Sequence, residues 1–225
     1  MRMRRKNNLD ARIAAHPHYL LLTEQGYYEE PEKRHGKFDL TAVFGNANPV
    51  WLEIGCGKGS FAITLAGQNP NINVLALEVV SNVIIDGLER AEEAKPRNLR
   101  FINCLAEHID EYFDEGSFER IYLNFSCPYP KNTYSNRRLT APRYLRLYRK
   151  MLSGGGTIYQ KTDNRKLFEF SIENFSREGY IIHDVSLDLH HSEYKEGNII
   201  TEYESRFISQ GLPIYRLEAT PREEQ

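Results

Sequence analysis

A chain of 225 residues with 40% hydrophobic and 27% charged side chains can bury a full core and is too polar for a membrane-embedded protein. It contains no apolar run near the roughly 18 residues that cross a bilayer, and its basic start lacks the apolar segment of a signal peptide. Three cysteines (Cys56, Cys104 and Cys127) without C-x-x-C spacing argue against a disulfide framework or a zinc site. The expectation is a protein of the reducing cytoplasm with no metal and no membrane contact. The net charge of −2 hides strong segregation. Residues 1–12 carry Arg2, Arg4, Arg5, Lys6 and Arg12 against one acid, Asp10, and residues 131–150 carry seven bases and no acid. Residues 89–119 carry nine acids against four bases. Such a molecule can turn one positive face to a phosphate backbone while staying near neutral overall.

Residues 1–49 read as a basic arm and 50–225 as a single domain. The arm holds a short helix near Leu9–Ala15, then the breakers Pro17, Gly26, Pro31 and Gly36. From Val50 onward strands and helices alternate, which predicts an α/β fold with a mostly parallel sheet and helices on both faces. Val50–Ile54 is the first strand, and Ser60–Gln68 a helix with Phe61, Ala62, Leu65 and Ala66 inward. Val74–Leu77 is the second strand, followed by a helix from Ser81 with Val83, Ile84, Leu88 and Ala91 as its apolar stripe. Leu99–Ile102 and Ile121–Phe125 are the third and fourth strands, and Pro142–Leu152 is a helix. Thr157–Lys161 is the fifth strand and Asn164–Glu178 a helix; Tyr180–Leu187 and Ile214–Leu217 bring the count to seven strands.

The stretch Val50-Trp51-Leu52-Glu53-Ile54-Gly55-Cys56-Gly57-Lys58-Gly59-Ser60 organises the rest. Glycines at alternate positions between a strand and a helix let main chain approach a ligand closely. Dinucleotide binding wants G-x-G-x-x-G, and Ser60 stands where its third glycine belongs. A plain turn rarely needs three glycines. The acidic Glu53 suits a cationic ligand better than a pyrophosphate. Glu78 lies 23 residues after Gly55 at the end of the next strand, where an acid accepts hydrogen bonds from ribose hydroxyls; a solvated strand-end glutamate is the plain alternative.

E-x-G-x-G-x-G, read as Glu53 to Gly59, resembles motif I of the S-adenosylmethionine-dependent methyltransferases. The seven-strand pattern is similar to the Rossmann-like class I methyltransferase sheet, whose last strand runs antiparallel. Further along come Leu123-Asn124-Phe125-Ser126-Cys127-Pro128-Tyr129-Pro130-Lys131 and Arg137-Arg138-Leu139-Thr140. Lys161-Thr162-Asp163-Asn164 and Thr201-Glu202-Tyr203-Glu204 with Phe207 follow. In this order the motifs resemble those of the bacterial tRNA (guanine-N7-)-methyltransferases over nearly the whole chain.

The resemblance implies methyl transfer from S-adenosylmethionine to guanine N7 in the tRNA variable loop, at position 46. It places the cofactor on Glu53, the loop glycines Gly55, Gly57 and Gly59, and Glu78. The family's acid after the third strand falls on Leu105. It gives Lys131, Asp163 and the segment Thr201 to Glu204 to the RNA, and its catalytic aspartate falls on Cys127. The basic run itself assigns Arg137, Arg138, Arg143, Arg146 and Lys150 to phosphates. Lys131 has a snorkelling surface lysine as its plain alternative, and Asp163 a helix cap. Guanine N7 carries an in-plane lone pair, so transfer needs no general base; it needs alignment and stabilisation of the charge passing onto the base. A carboxylate does the second job, whereas a thiol is mostly neutral at pH 7. A slow enzyme is therefore expected, acting as monomer or homodimer. A non-catalytic paralogue that binds tRNA and cofactor, or a methyltransferase with another substrate, are the competing readings.

Overall fold

The computed structural model describes residues 4–21 and 36–222; the breakers Gly26 and Pro31 and the base Arg2 lie outside the described residues. The chain divides into two units, Met1–Asp114 and Glu115–Gln225. In the first, α1 (Leu9–Ala14) and β1 (Leu20–Leu21) precede α2 (Leu40–Phe44), β2 (Val50–Ile54) and α3 (Ser60–Gln68). Then come β3 (Asn73–Leu77), α4 (Ser81–Ala94), β4 (Leu99–Ile102) and the short α5 (Ile109–Tyr112). The strand order is β1-β4-β3-β2 with every pairing parallel. Every residue of β2 and β3 is buried, as the continuous apolar runs require of strands covered on both faces. Ile54, Leu77 and Ile102 stand in register, so Gly55, Glu78 and Asn103 leave the sheet side by side.

Strand β1 makes the strand count eight among the described residues, where seven were expected. Two residues carry no period to read. The strand forms because Leu20 is buried and the Phe101 N–H donates to the Tyr19 carbonyl at 2.6 Å.

The arm's charge also has a destination the sequence did not show. Helix α1 lies on α4 and buries Leu9. Lys6 pairs with Asp86, and Arg12 Nε donates to Glu89 Oε1 at 2.8 Å. His16 Nδ1 lies 3.5 Å from Glu92 Oε2. Asp86, Glu89 and Glu92 recur every third residue, so they share one face of α4. Burial pushes the Asp86 carboxyl up, but Lys6 and Lys58 outweigh it and hold the group below its ordinary value. Lys6 and Arg12 of the arm thus face the acids of α4.

The second unit holds β5 (Phe118–Asn124), α6 (Pro142–Met151), β6 (Leu152–Thr162), α7 (Arg165–Arg177), β7 (Tyr180–Ser186), α8 (Glu202–Ile208) and β8 (Tyr215–Pro221). The order is β5-β6-β8-β7; β5 and β6 are parallel, and β8 runs antiparallel to both neighbours, as expected of the last strand. Pro142 opens α6, where its missing N–H costs nothing, and Tyr144, Leu145, Tyr148 and Met151 form its buried face. Strand β6 begins at Leu152 rather than Thr157 and takes in Gly154, Gly155 and Gly156. A Cβ on Gly156 would come within 2.9 Å of the Ser153 carbonyl and 3.1 Å of the Glu119 carbonyl, so that close pairing demands glycine. Among the described residues no helix is long and apolar enough to cross a membrane.

Candidate functional site

In the first unit the loop after β2 is fastened to the end of β3. The N–H groups of Gly55 and Cys56 both donate to the Leu77 carbonyl, at 2.8 and 2.9 Å. Gly55, Gly57 and Gly59 all have positive φ, at 80°, 58° and 73°, which explains why the motif spaces them alternately. Their reasons differ beyond that. A Cβ on Gly59 would meet the Phe101 ring at 3.0 Å and the Gly87 Cα at 3.3 Å, so this glycine lets α3 and α4 close on the sheet. A Cβ on Gly55 or Gly57 would meet nothing within 4 Å. The space above those two residues is open, which is what a ligand lying on the main chain requires.

Glu78 frames the same space. It is buried; Oε2 accepts from the Gly57 N–H at 3.0 Å, and Oε1 accepts from the Val80 N–H at 2.8 Å. Burial raises its pKa, and the N–H bonds of Val80, Gly57 and Val79 pull it part of the way back. One carboxylate therefore holds the glycine loop and the entry to α4 together, with lone pairs left to accept from hydroxyls. Glu53 is buried at the end of β2. Leu105 is 45% exposed where the chain leaves β4. Asn103, which the sequence reading passed over, ties this edge together: its Nδ2 donates to the Glu78 carbonyl, and its Oδ1 accepts from Ser81 Oγ at 3.0 Å. Its position after an aligned strand end was the available signal. These residues fit the expected cofactor by an open cradle and a buried acceptor at its rim.

The second unit carries the other motifs. Strand β5 stops at Asn124 because Phe125 takes φ 50°, and Tyr129 takes φ 39°. Between them Cys127 is exposed. The turn is held from two sides. The Phe125 N–H donates to the Lys161 carbonyl at 2.8 Å, and the Phe125 ring lies 5.3 Å from Tyr203 and 6.4 Å from Phe207. On the far side Arg138 Nε donates to the Pro128 carbonyl at 2.9 Å, and Nη2 donates to that of Tyr129 at 3.0 Å. Its guanidinium lies 4.4 Å from the Phe170 ring centroid.

Arg138 is buried, so the structure gives it a use other than the expected phosphate contact. Arg149 likewise donates to the carbonyls of Gly179 and Arg222. Arg146 pairs with Glu178 at 2.7 Å, and Arg143 Nε donates to the Asn136 carbonyl. Lys131, Arg137 and Lys150 are exposed, with Arg137 over the Tyr134 ring at 4.8 Å. The salt dependence of RNA binding should separate the adjacent arginines. Arg137→Ala is expected to flatten the slope of log affinity against log salt by about one, as loss of one phosphate contact does. Arg138→Ala should leave the slope alone and lower the rate; equal loss of slope from both variants would return Arg138 to the phosphates.

Thr201 and Glu204 are also turned inward. Thr201 caps α8, with its side chain accepting from the Glu204 N–H at 3.0 Å, and Glu204 Oε2 reaches back to the Thr201 N–H at 3.3 Å. This is a capping box. Glu204 is fully buried, and the same oxygen accepts from Lys161 Nζ at 2.8 Å. Its Oε1 accepts from Asn198 Nδ2 at 2.8 Å and lies 3.1 Å from His190 Nε2. Lys161 also donates to Asn198 Oδ1 and the Ile199 carbonyl, so all three ammonium protons are placed. The expected RNA contacts Thr201 and Glu204 thus serve the chain's own scaffold. Asp163 does not cap α7; Asn164 does, its Oδ1 accepting from the Leu167 N–H at 2.9 Å. Asp163 is half-buried and its pKa is raised by that burial. His183, Asp184 and Glu218 bring ligand atoms within 4.8 Å of one another, but Arg216 pairs with Glu218 and puts a positive charge where a cation would sit.

Parallel strands ending in an open glycine cradle, an acid at the next strand end and a final antiparallel strand define a class I methyltransferase fold. The solved 16S rRNA methyltransferase KamB matches it with a TM-score of 0.62 at 15% identity, over 85% of this chain and 97% of its own. Phosphoethanolamine N-methyltransferase 2 of Haemonchus contortus, solved with S-adenosyl-L-methionine, matches with a TM-score of 0.51 at 16% identity, over 82% of this chain and 51% of its own. A family model described as "Putative methyltransferase" matches residues 47–217. The chain is 50% identical over 190 residues to the tRNA (guanine-N(7)-)-methyltransferase of Lachnoclostridium phytofermentans, covering 84% of this chain and 88% of that one. It is 41% identical over 219 residues to the enzyme of the same name from Bacillus licheniformis, covering 97% and 98%. The chain belongs to the tRNA (guanine-N(7)-)-methyltransferase family.

Proposed function

We propose that the chain methylates guanine N7 in tRNA, at position 46 of the variable loop, with S-adenosylmethionine as cofactor. The observation that carries the reading is the cradle: Gly55 and Gly57 lie under open space beside the Glu78 carboxylate. Glu53, the three glycines and Glu78 would hold the cofactor, and Leu105 would border it. When bound, the cofactor supplies an electrophilic methyl group on a sulfonium centre.

The protein's own tasks are then to hold the base and to bear the charge. No residue needs to remove a proton, because N7 presents its lone pair. Asp163, a half-buried carboxylate, is suited to accept from the guanine N–H edge. Lys131, Arg137 and Lys150 supply exposed positive charge for the phosphates. Cys127 takes the place of the family's catalytic aspartate by resemblance, and a thiol would stabilise the charge passing onto the base poorly. We assign the protein to the cytoplasm as a monomer or homodimer, with residues 50–225 as the methyltransferase domain and 1–49 as its basic arm.

Nucleoside mass spectrometry of unmodified tRNA, incubated with protein and cofactor, tests the reading. The expected product is 7-methylguanosine in the variable loop. Binding without a product would leave a non-catalytic paralogue, and methylation elsewhere would mean another substrate. At the cofactor site, Glu78→Ala is expected to weaken S-adenosylhomocysteine binding at least tenfold by calorimetry, since one change removes an acceptor and releases the glycine loop. Leu105→Asp should tighten it; unchanged affinity in both variants would move the cofactor off this edge.

A further inference from the structure

Two large apolar side chains are exposed among the described residues of the first unit, Val79 at 39% and Leu105 at 45%. Both stand at the rim of the cradle. Val79 directly follows Glu78 at the end of β3, and Leu105 lies just past the end of β4. The two segments are pinned together. The Glu78 N–H donates to the Ile102 carbonyl at 3.1 Å, and Asn103 donates to the Glu78 carbonyl while accepting from Ser81.

The shape of a nucleoside says what would lie there. A ribose carries its 5′ substituent and its base on opposite sides of the edge that bears its two hydroxyls. With the hydroxyls on Glu78 and the 5′ sulfur over Gly55 and Gly57, on the β2 side, the base falls on the β4 side. A purine is apolar on its faces, which suits two exposed aliphatic side chains. The groups that could read its edge are otherwise engaged. The Asn103 amide holds Glu78 and Ser81, and the Leu105 carbonyl accepts from the His108 N–H at 3.0 Å. Cys104 is buried; that burial, helped by the charge of Glu111, pushes its thiol up to about 12 and keeps it neutral.

We propose that this chain holds the purine of its cofactor by apolar contact with Val79 and Leu105 and leaves the exocyclic amine unread. The proposal rests on the S-adenosylmethionine reading and deepens it. The site selects a purine nucleoside by its ribose and its faces, and it accepts purines whose amine carries alkyl groups. By resemblance Leu105 replaces an acid, and the exchange removes a partner that would demand an N–H donor. The exposed side of Leu105 leaves the outer edge of the purine open to water, so added methyl groups have room.

Calorimetry tests this without any turnover. The probes are S-adenosylhomocysteine and its analogue with a dimethylamino purine, which has lost both N–H donors. Wild type should bind the two within about threefold, because no hydrogen bond to the amine is given up. Leu105→Asp should bind the parent about tenfold tighter and prefer it to the analogue by about 10- to 100-fold, since a carboxylate gains only from a donor. Leu105→Ser and Val79→Ser should each weaken both ligands alike, by about three- to tenfold, through lost apolar area. Both positions are exposed, so the variants should unfold at the wild-type midpoint. A wild-type preference for the parent of about tenfold or more would overturn the inference, as would unchanged affinities in both serine variants. Failure of wild type to bind either ligand would overturn the cofactor reading itself.

Discussion

Cys127→Asp is expected to raise the single-turnover rate of tRNA methylation about 100-fold, with tRNA affinity changed less than about twofold. The size follows from electrostatic stabilisation lost at one position, which costs roughly 10²–10³ in other enzymes that stabilise transferred charge. The asymmetry between rate and affinity follows because the charge on guanine exists in the transition state and not in the bound substrate. Cys127 is exposed on a turn held at both ends by Arg138 and by the Phe125 contacts, so the substitution needs no repacking. Equal rates from the two proteins would mean that the base is not presented to this turn.

The second large effect concerns folding. Glu204→Ala is expected to destabilise the protein by about 3–5 kcal/mol, because it leaves Lys161 buried without its countercharge. For a chain of this size that lowers the unfolding midpoint by roughly 10 °C. The same change removes half of the capping box and an acceptor for Asn198. The double variant Glu204→Leu with Lys161→Met should recover much of the loss, since two apolar side chains carry no desolvation penalty. A midpoint within a degree or two of wild type for Glu204→Ala would show that water reaches the pair.

Strands and helices of the interior were legible because burial writes itself into periodicity. Val50–Ile54 and Leu99–Ile102 came out of the sequence with the bounds found in the structure. Strand β1 was not legible, because a two-residue strand has no period. The start of β6 was hidden because Ser153-Gly154-Gly155-Gly156 has the composition of a turn, while Gly156 lies close against the Glu119 carbonyl of β5. The glycine cradle could be read because its constraint is local backbone conformation. What could not be read is which charges face solvent. Arg137 and Arg138 are identical and adjacent in sequence, and only the carbonyls of Pro128 and Tyr129, ten and nine residues away, distinguish them. Glu204 and Lys161 stand 43 residues apart, and no spacing rule joins them.

Asp86 serves two masters in the first unit: Lys6 from the arm, and Lys58 from within the glycine loop, whose Nζ lies 3.5 Å from Oδ2. A carboxylate shared between two cations binds each less tightly than it would bind either alone, so the two contacts are thermodynamically linked. Drawing Lys6 away toward a polyanion strengthens the hold of Asp86 on Lys58, and a ligand that recruits Lys58 strengthens its hold on Lys6. The linkage is reciprocal and needs no movement of the sheet. Neutralising the shared group with Asp86→Asn should therefore cut both ties at once, leaving the arm and the loop to respond to their ligands independently.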